Sequence, residues 1–370
     1  MAAVLFASGL LQTPPSIDPP SVDEAALAAR LLAMTRAVAG ERAVILFDPT
    51  YYPGITTRLR ESLHARGVQT YTIVEDTPPM VAAYIDDEAA HDRRERDIIE
   101  TWLPVFERSD IFYWMPTRGY GDDLRWESLV ARSRVRSVHF HWLLPFPGTR
   151  TAAEIAEASR VNEARALQVD LAEHARNQQR LAAALRGRTI RITTPGGTDL
   201  TLSVRRDEWF HFGNGDASRA TAAAARWLRD RQIELPVGMF QFAPDPQAVS
   251  GTLVAPAIFQ AGTAVRDARI RFAGGRIAEV TAAAGAEWIS RHAQEIGPDG
   301  DRIALITLNT NPLAESADVG VDIGSNWENG ATNRATRMWR MSLRLPQATI
   351  SIDGRTLVRD GRIQWTDIDP

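Results

Sequence analysis

Short apolar runs alternate with longer periodic segments through the first half of the chain. The apolar runs predict buried strands, at 43–48, 70–75, 111–115 and 135–144. The periodic segments predict helices, at 21–40, 55–66, 86–108 and 151–185. Because strands and helices alternate, we predict an α/β N-terminal domain whose parallel sheet is covered on both faces.

Two of these helices carry particular end signals. The sequence SVDE at 21–24 has the spacing of a capping box, and Gly40 is the expected end of that first helix. The segment 151–185 is rich in Ala, Glu and Arg and predicts one long linking helix. We therefore place the domain boundary at its end, with residues 1–185 in the first domain.

The pattern changes after residue 186 to short runs separated by turn residues. Strands at 189–192 and 200–204 flank PGGT at 195–198, which predicts a hairpin. Further Gly-Gly and Asp-Gly turns follow to the end of the chain, and 216–232 predicts an inserted helix. Residues 186–370 are accordingly predicted to form a β-rich α+β domain.

Composition narrows the class of protein. A chain of 370 residues with 44% hydrophobic and 24% charged residues is typical of a globular protein of about two domains. Its net charge of −4 does not indicate nucleic-acid binding, and the absence of cysteine excludes disulfides and thiolate zinc sites.

The first twelve residues are apolar but have no basic residue before the apolar run. This argues against a signal peptide, and the run is too short to span a membrane. We expect it to form a first strand or arm that docks on the body. The expected location is the cytoplasm, without a membrane partner.

Five motifs follow one another in the second half of the chain. They are GTDL at 197–200, LPVGMFQFAPD at 235–245, FAGGRIAE at 272–279, IALITLNTNP at 303–312, and the segment 330–340 followed by IDGR at 352–355. This series resembles the thermophilic-type metallo-aminopeptidases, leucyl aminopeptidases of the AmpS/PepS kind. The resemblance covers roughly 186–365 and implies a two-domain aminopeptidase-like architecture and a homodimer around an enclosed cavity.

The resemblance also implies a two-metal site built from carboxylates and imidazoles, which are the ligands that such ions need. Transferred position by position, the family's ligands fall on Met239, Leu305, Gly320, Met338 and Arg340. None of these is a Glu, Asp or His, and no histidine follows His292. The ring-opening iron dioxygenases of the same fold need histidine in this region too. We therefore predict no metal, no cofactor and no catalytic residue of the family's kind.

Other polar residues occupy the same part of the sequence. Two carboxylates, Asp322 and Glu328, stand near Trp327 and the arginines Arg334 and Arg337. Together with the five transferred positions, they form the predicted ligand-binding site.

Arg340 decides how that site is interpreted. If 338–341 is a strand, Met338 and Arg340 point to one face and Trp339 to the other. A guanidinium there suits a peptide carboxylate, which it binds in a bidentate fork. The alternative is that Arg340 pairs internally with Asp322 or Glu328 and fills the space.

These features predict a catalytically inactive aminopeptidase homologue. It would bind a peptide or a small carboxylate-bearing ligand, for example a precursor peptide in natural-product biosynthesis, and present it to a partner enzyme. A second hypothesis is a metal-independent lyase, cyclase or isomerase with Asp322 or Glu328 as base and Arg340 as electrostatic stabiliser. A third is a structural subunit that pairs with an active paralogue.

Overall fold

The computed structural model describes most of the chain. The described residues are 21–49, 51–74, 88–116, 123–140, 152–258, 265–314, 319–330, 332–336 and 339–368. The predicted N-terminal arm at 1–12 lies outside them. Among the described residues, no helix is long and apolar enough to cross a membrane.

Helices dominate the first half of the chain. The α-helices are α1 (Glu24–Thr35), α2 (Pro53–Ala65), α3 (Glu88–Phe106), α4 (Asp123–Arg132), α5 (Ala152–Leu167), α6 (Leu171–Leu185), α7 (Arg219–Ala224) and α8 (Ala286–Ile296). In the described residues, 3₁₀ helices lie at Leu228–Arg231, Trp327–Asn329 and Trp365–Asp367.

Strands dominate the second half. The strands are β1 (Arg42–Phe47), β2 (Gln69–Val74), β3 (Ile111–Trp114), β4 (Arg136–Phe140), β5 (Thr189–Thr193), β6 (Asp199–Ser203), β7 (Phe210–Phe212), β8 (Gln232–Leu235), β9 (Met239–Phe242), β10 (Val249–Ala257), β11 (Arg266–Ala273), β12 (Arg276–Thr281), β13 (Ile303–Asn309), β14 (Val319–Gly324), β15 (Arg340–Leu345), β16 (Thr349–Ile352), β17 (Arg355–Arg359) and β18 (Arg362–Ile363).

Within the described part of the chain, these strands form three sheets. One is parallel, with the order β2-β1-β3-β4-β8. The other two are antiparallel, with the orders β12-β11-β10-β6-β5-β16-β17-β18 and β15-β14-β13-β9-β7. The predicted fold class is thus confirmed: an α/β part with a parallel sheet and a β-rich part.

The parallel sheet has apolar side chains on both faces, as its continuous apolar strands predict. Alternate residues of β1 enter two different clusters: Ala43 and Ile45 pack with α1 and α2, whereas Val44 and Leu46 pack with α3 and α4. Each strand therefore contributes to a core on either side, which fixes helices on both faces.

The two antiparallel sheets pack face to face around the largest core. Alternate residues of β5 and β6, such as Ile192 and Leu200, meet Phe240, Phe242 and Val321 from the opposite sheet. Phe242 is fully buried, with its ring centroid 5.7 Å from that of Phe210. Only one face of the five-stranded sheet β15-β14-β13-β9-β7 is used in this way, so its other face is left for different contacts.

Two predicted helices differ from the structure. The segment 151–185 is two helices, because Asp170 accepts hydrogen bonds from the backbone N–H groups of Ala172 and Glu173 and starts α6. The predicted helix at 216–232 is wrong as well: it contains α7, a 3₁₀ helix and the first residue of β8. Helices α4 and α8 were not predicted, and α1 is capped by Asp23 rather than Ser21.

Strand β8 bears on the predicted division at residue 185. It lies in the second half of the sequence but pairs with β4, through Val138 opposite Ile233 and Phe140 opposite Leu235. The parallel sheet therefore includes residues from both sides of that boundary, and the domain limits stay a prediction.

We expect Phe242→Ala to lower the free energy of unfolding by about 3–5 kcal/mol, because it leaves a cavity between the two antiparallel sheets. Chemical denaturation of the purified variant measures this. The control is Leu313→Ala, whose side chain is 37% exposed and should cost about 0.5 kcal/mol or less. Equal losses for the two variants would contradict the placement of Phe242 in the shared core.

Candidate functional site

The face of the five-stranded sheet that points away from the core carries the predicted site. Register places Leu305 opposite Asp322 and Asp322 opposite Ser342 in one row. The next row runs through Gln241, Thr307, Gly320 and Arg344. We call this surface the polar face; its residues are His211, Met239, Gln241, Leu305, Thr307, Asn309, Gly320, Asp322, Gly324, Arg340, Ser342 and Arg344.

Five predicted site residues are brought together on this face. Met239 is on β9, Leu305 on β13, Gly320 and Asp322 on β14, and Arg340 on β15. They share the face because residues two apart in a strand point the same way and the antiparallel register keeps these rows aligned. Residues that are up to about a hundred positions apart in the sequence thus lie on one surface.

One half of the polar face is covered. Leu305 is fully buried, and Asp322 and Gln241 are buried as well. The 3₁₀ helix Trp327–Asn329 lies over this half, and Asn329 Nδ2 donates to Gln241 Oε1 at 2.8 Å. This half of the face is therefore filled by the protein itself.

The other half is accessible to a ligand. Met239, Thr307 and Ser342 are partly exposed, and Arg344 is exposed. Gly320 lies between Thr307 and Arg344: a Cβ at Gly320 would lie 3.0 Å from Thr307 Cβ and 3.3 Å from Arg344 Nη1. The glycine thus leaves room for the Arg344 guanidinium to lie close to the sheet.

Arg340 contacts both carboxylates that the sequence singles out. Its Nε lies 3.4 Å from Asp322 Oδ2, and its Nη1 lies 3.4 Å from Glu328 Oε1. The exposed fractions of the three side chains are 21% for Arg340, 10% for Asp322 and 2% for Glu328. The internal pairing that was the alternative interpretation of Arg340 is therefore present in the structure.

A second arginine, Arg229, lies at the centre of this charge network. Its guanidinium contacts Glu328 through Nε, Glu234 through Nη1 at 3.1 Å and Glu127 through Nη2 at 3.1 Å. The Arg229 side chain is 7% exposed. Because the three glutamates come from α4, β8 and the 3₁₀ helix Trp327–Asn329, this one side chain connects the parallel sheet to the cover of the polar face.

The network extends to the end of the parallel sheet. His139 Nδ1 lies 3.2 Å from Glu234 Oε2, and the imidazole stacks on Trp114 with ring centroids 3.9 Å apart. The Glu234 carboxylate therefore contacts both Arg229 and His139.

Burial and charge together set the protonation of this region. Burial disfavours the ionised Glu328 carboxylate, but the Arg229 and Arg340 guanidiniums outweigh it and hold the pKa of Glu328 below its usual value. Burial, with the positive charge of Arg229, lowers the pKa of His211 to about 3. His211 is thus neutral at pH 7, and Glu328 is ionised.

Four other predicted site residues lie elsewhere, or outside the described residues. Arg334 pairs with Asp299, its Nε 3.1 Å from Oδ2, so its charge is directed away from the polar face. Trp327 packs against the apolar cluster around α3 and α4. Arg337 and Met338 lie outside the described residues.

Sequence reasoning missed Arg344 and the Arg229 network. Arg344 could have been found, because it is two and four residues from Ser342 and Arg340 in the same strand and so shares their face. Arg229 had no such signal, since its partners Glu127 and Glu328 are each about a hundred residues away in sequence.

Comparisons with known proteins agree with this architecture. A family model described as thermophilic metalloprotease (M29) matches residues 149–295. No sequence among the curated proteins matches the chain.

Two solved structures share the fold over nearly the whole chain. One is wild-type AmpT from Thermus thermophilus, at 14% identity and a TM-score of 0.61, covering 93% of this chain and all of that one. The other is a 2,5-dihydroxypyridine dioxygenase from Pseudomonas putida KT2440, at 14% identity and a TM-score of 0.59, covering 93% of this chain and 98% of that one. The chain therefore has an M29 aminopeptidase-like fold.

The residues on the polar face do not fit the metal that the M29 description implies. Met239, Leu305 and Gly320 supply no oxygen or nitrogen ligand from their side chains, and Asp322 already contacts the Arg340 guanidinium. Within the described ranges, no three His, Asp or Glu side chains are grouped so that they could hold a metal ion.

We expect Glu328→Gln to lower the free energy of unfolding at pH 7 by about 3–5 kcal/mol, because it leaves two buried guanidiniums short of a charge partner. The folded-state pKa of Glu328 lies below its ordinary value of 4.5, so its charge stabilises the fold above about that pH. The difference from the wild type should therefore shrink as the pH falls below 4.5.

Urea denaturation at several pH values between 7 and 3 measures this difference. The matched control is Glu279→Gln, which removes an exposed partner of Arg271 and should cost about 1 kcal/mol or less. A loss for Glu328→Gln that does not change with pH would show that ionisation of this carboxylate is not what stabilises the fold.

Proposed function

We propose that this chain is a metal-free relative of the M29 aminopeptidases that binds a peptide on the exposed half of its polar face. The observation that carries the proposal is the placement of Arg344. Its exposed guanidinium lies beside Gly320 and close to Thr307 and Ser342 on the polar face. No ion pair of Arg344 occurs within the described part of the chain, so its charge is available to a ligand.

The two arginines of β15 have different roles under this proposal. Arg340 is neutralised by Asp322 and Glu328 and supports the cover over the buried half of the face. Arg344 would bind the ligand, because a guanidinium forms a bidentate pair with a carboxylate. The proposed partner is the terminal carboxylate of a peptide. The sequence predicted that Arg340 would bind this carboxylate, and we now assign the binding to Arg344.

The rest of the exposed half suits a peptide backbone. The Thr307 hydroxyl and the Asn309 amide nitrogen can donate hydrogen bonds, and Met239 adds an adaptable apolar surface. Presentation of the peptide to a partner enzyme, its origin in a natural-product pathway, the homodimer and the cytoplasmic location stay predictions.

The hypothesis of a metal-independent enzyme has less support. It needs Asp322 or Glu328 as a general base, and both carboxylates contact guanidinium groups. A base must be able to reach a substrate proton. Glu328 is only 2% exposed, which leaves it no such access.

The proposal predicts saturable peptide binding without hydrolysis. Purified protein should carry no stoichiometric zinc, cobalt or manganese by elemental mass spectrometry, and a chelator should leave its peptide affinity unchanged. Aminoacyl and dipeptide substrates should stay intact when these metals are added. Metal-dependent turnover would overturn the proposal and restore an aminopeptidase.

A second experiment tests the role of Arg344. We expect Arg344→Gln to weaken binding of a peptide with a free C-terminus about tenfold, or about 1.4 kcal/mol. The amidated form of the same peptide should bind wild type and variant equally, because it lacks the charge that Arg344 recognises.

Titration calorimetry of the free-acid and the amidated peptide with the wild type and with Arg344→Gln gives the four affinities that the comparison needs. Arg359→Gln, on the exposed side of β17, is the matched control and should bind the free-acid peptide like the wild type. An equal loss for the acid and the amide on Arg344→Gln would show that Arg344 does not bind the carboxylate.

A further inference from the structure

A cavity lies beside Trp327, and none of its lining residues belongs to the polar face. Its volume is about 230 Å³, and its lining residues are Ala131, Ala225, Arg226, Trp227, Leu228, Arg231 and Trp327. The lining is thus made of two indoles, two guanidiniums and small apolar groups, with no acidic side chain among these described residues.

The two arginines of this cavity form no ion pair with the described residues. Arg231 donates to two backbone carbonyls, Val135 O at 2.8 Å and Ala131 O at 3.2 Å. No carboxylate lies within 4 Å of the Arg226 or Arg231 guanidinium in the described residues, in contrast to Arg229 between them in sequence. The Asp230 carboxylate of the same loop is engaged by the backbone N–H groups of Arg226 and Trp227. Two guanidiniums that line one cavity without an ion-pair partner therefore favour an anionic ligand.

The loop that forms the cavity is held in place without a ligand. Asp230 Oδ2 accepts from the backbone N–H groups of Arg226 and Trp227, at 2.8 and 3.0 Å. The Trp327 indole packs against the apolar cluster around α3 and α4. The lining groups are therefore positioned in advance, which limits the ordering that binding would require.

We propose that this cavity binds a small aromatic carboxylate. Its ring would pack between the Trp227 and Trp327 indoles, and its carboxylate would accept hydrogen bonds from Arg226 and Arg231. The volume suits one ring and one carboxylate rather than a drug-sized ligand. This site is independent of peptide binding at Arg344, because the polar face contributes none of its lining.

Titration calorimetry with phenylacetate tests the proposal, and phenylacetamide is the uncharged control of the same shape. We expect saturable binding of phenylacetate with a Kd of about 1 mM or tighter, and binding of the amide at least about tenfold weaker. A short peptide that ends in phenylalanine carries the same ring and carboxylate. Comparing its affinity with that of phenylacetate shows whether the cavity binds a peptide terminus or a free small molecule.

Variants locate the binding. Arg226→Gln should weaken phenylacetate about tenfold and leave the fold intact, since the Arg226 side chain is exposed and makes none of the loop's backbone hydrogen bonds. Trp327→Phe keeps an aromatic ring at this wall of the cavity and should weaken binding less. Arg231→Gln is interpreted only if its unfolding curve matches that of the wild type, because Arg231 also holds two backbone carbonyls.

The outcomes are decisive in either direction. Absence of binding up to about 10 mM, equal affinity for acid and amide, or no effect of Arg226→Gln would overturn the proposal. Peptide affinity at the polar face should be unchanged by Arg226→Gln, so failure of this site is distinguishable from failure of the proposed function.

Discussion

The buried guanidinium of Arg229 is the constraint on which the centre of this molecule depends. Transferring such a charge from water into the protein interior costs several kcal/mol, and only close carboxylates can offset it. The carboxylates of Glu127, Glu234 and Glu328 do so from three separate elements, and Glu328 in turn contacts Arg340. The relative positions of α4, β8, the 3₁₀ helix at 327–329 and β15 are therefore determined together.

This arrangement separates two regions of the polar face. Where the network lies, the face is covered and its charges are balanced by neighbours within the chain. Beyond Gly320 the same sheet carries Arg344, which the network does not reach. The surface available to a ligand is thus defined by where the internal charge pairs end, rather than by a change in backbone geometry.

Periodicity in the sequence predicted much of the fold, because burial imposes it directly. The strands β1 to β4 and the hairpin of β5 and β6 follow from apolar runs and turn residues, and the shared face of Leu305 and Asp322 follows from strand alternation. The helix at 216–232 was wrong in extent: its alanine-rich part forms α7, but the chain then turns through a 3₁₀ helix, and tertiary pairing draws Gln232 into β8 beside β4. Ion pairs such as Arg229 with Glu127 were not predictable, since neither residue carries a local signal of its partner.

The position of β5 in the eight-stranded sheet has a consequence for synthesis of the chain. One side of β5 is paired by β6, with Thr193 opposite Asp199, but its other side is paired by β16, with Ile192 opposite Ile350. During translation that second side stays without its native partner until β16 has been synthesised. The nascent chain therefore exposes a strand edge while all the residues between β5 and β16 are made, and edges of this kind are where newly made chains pair with one another or with chaperones.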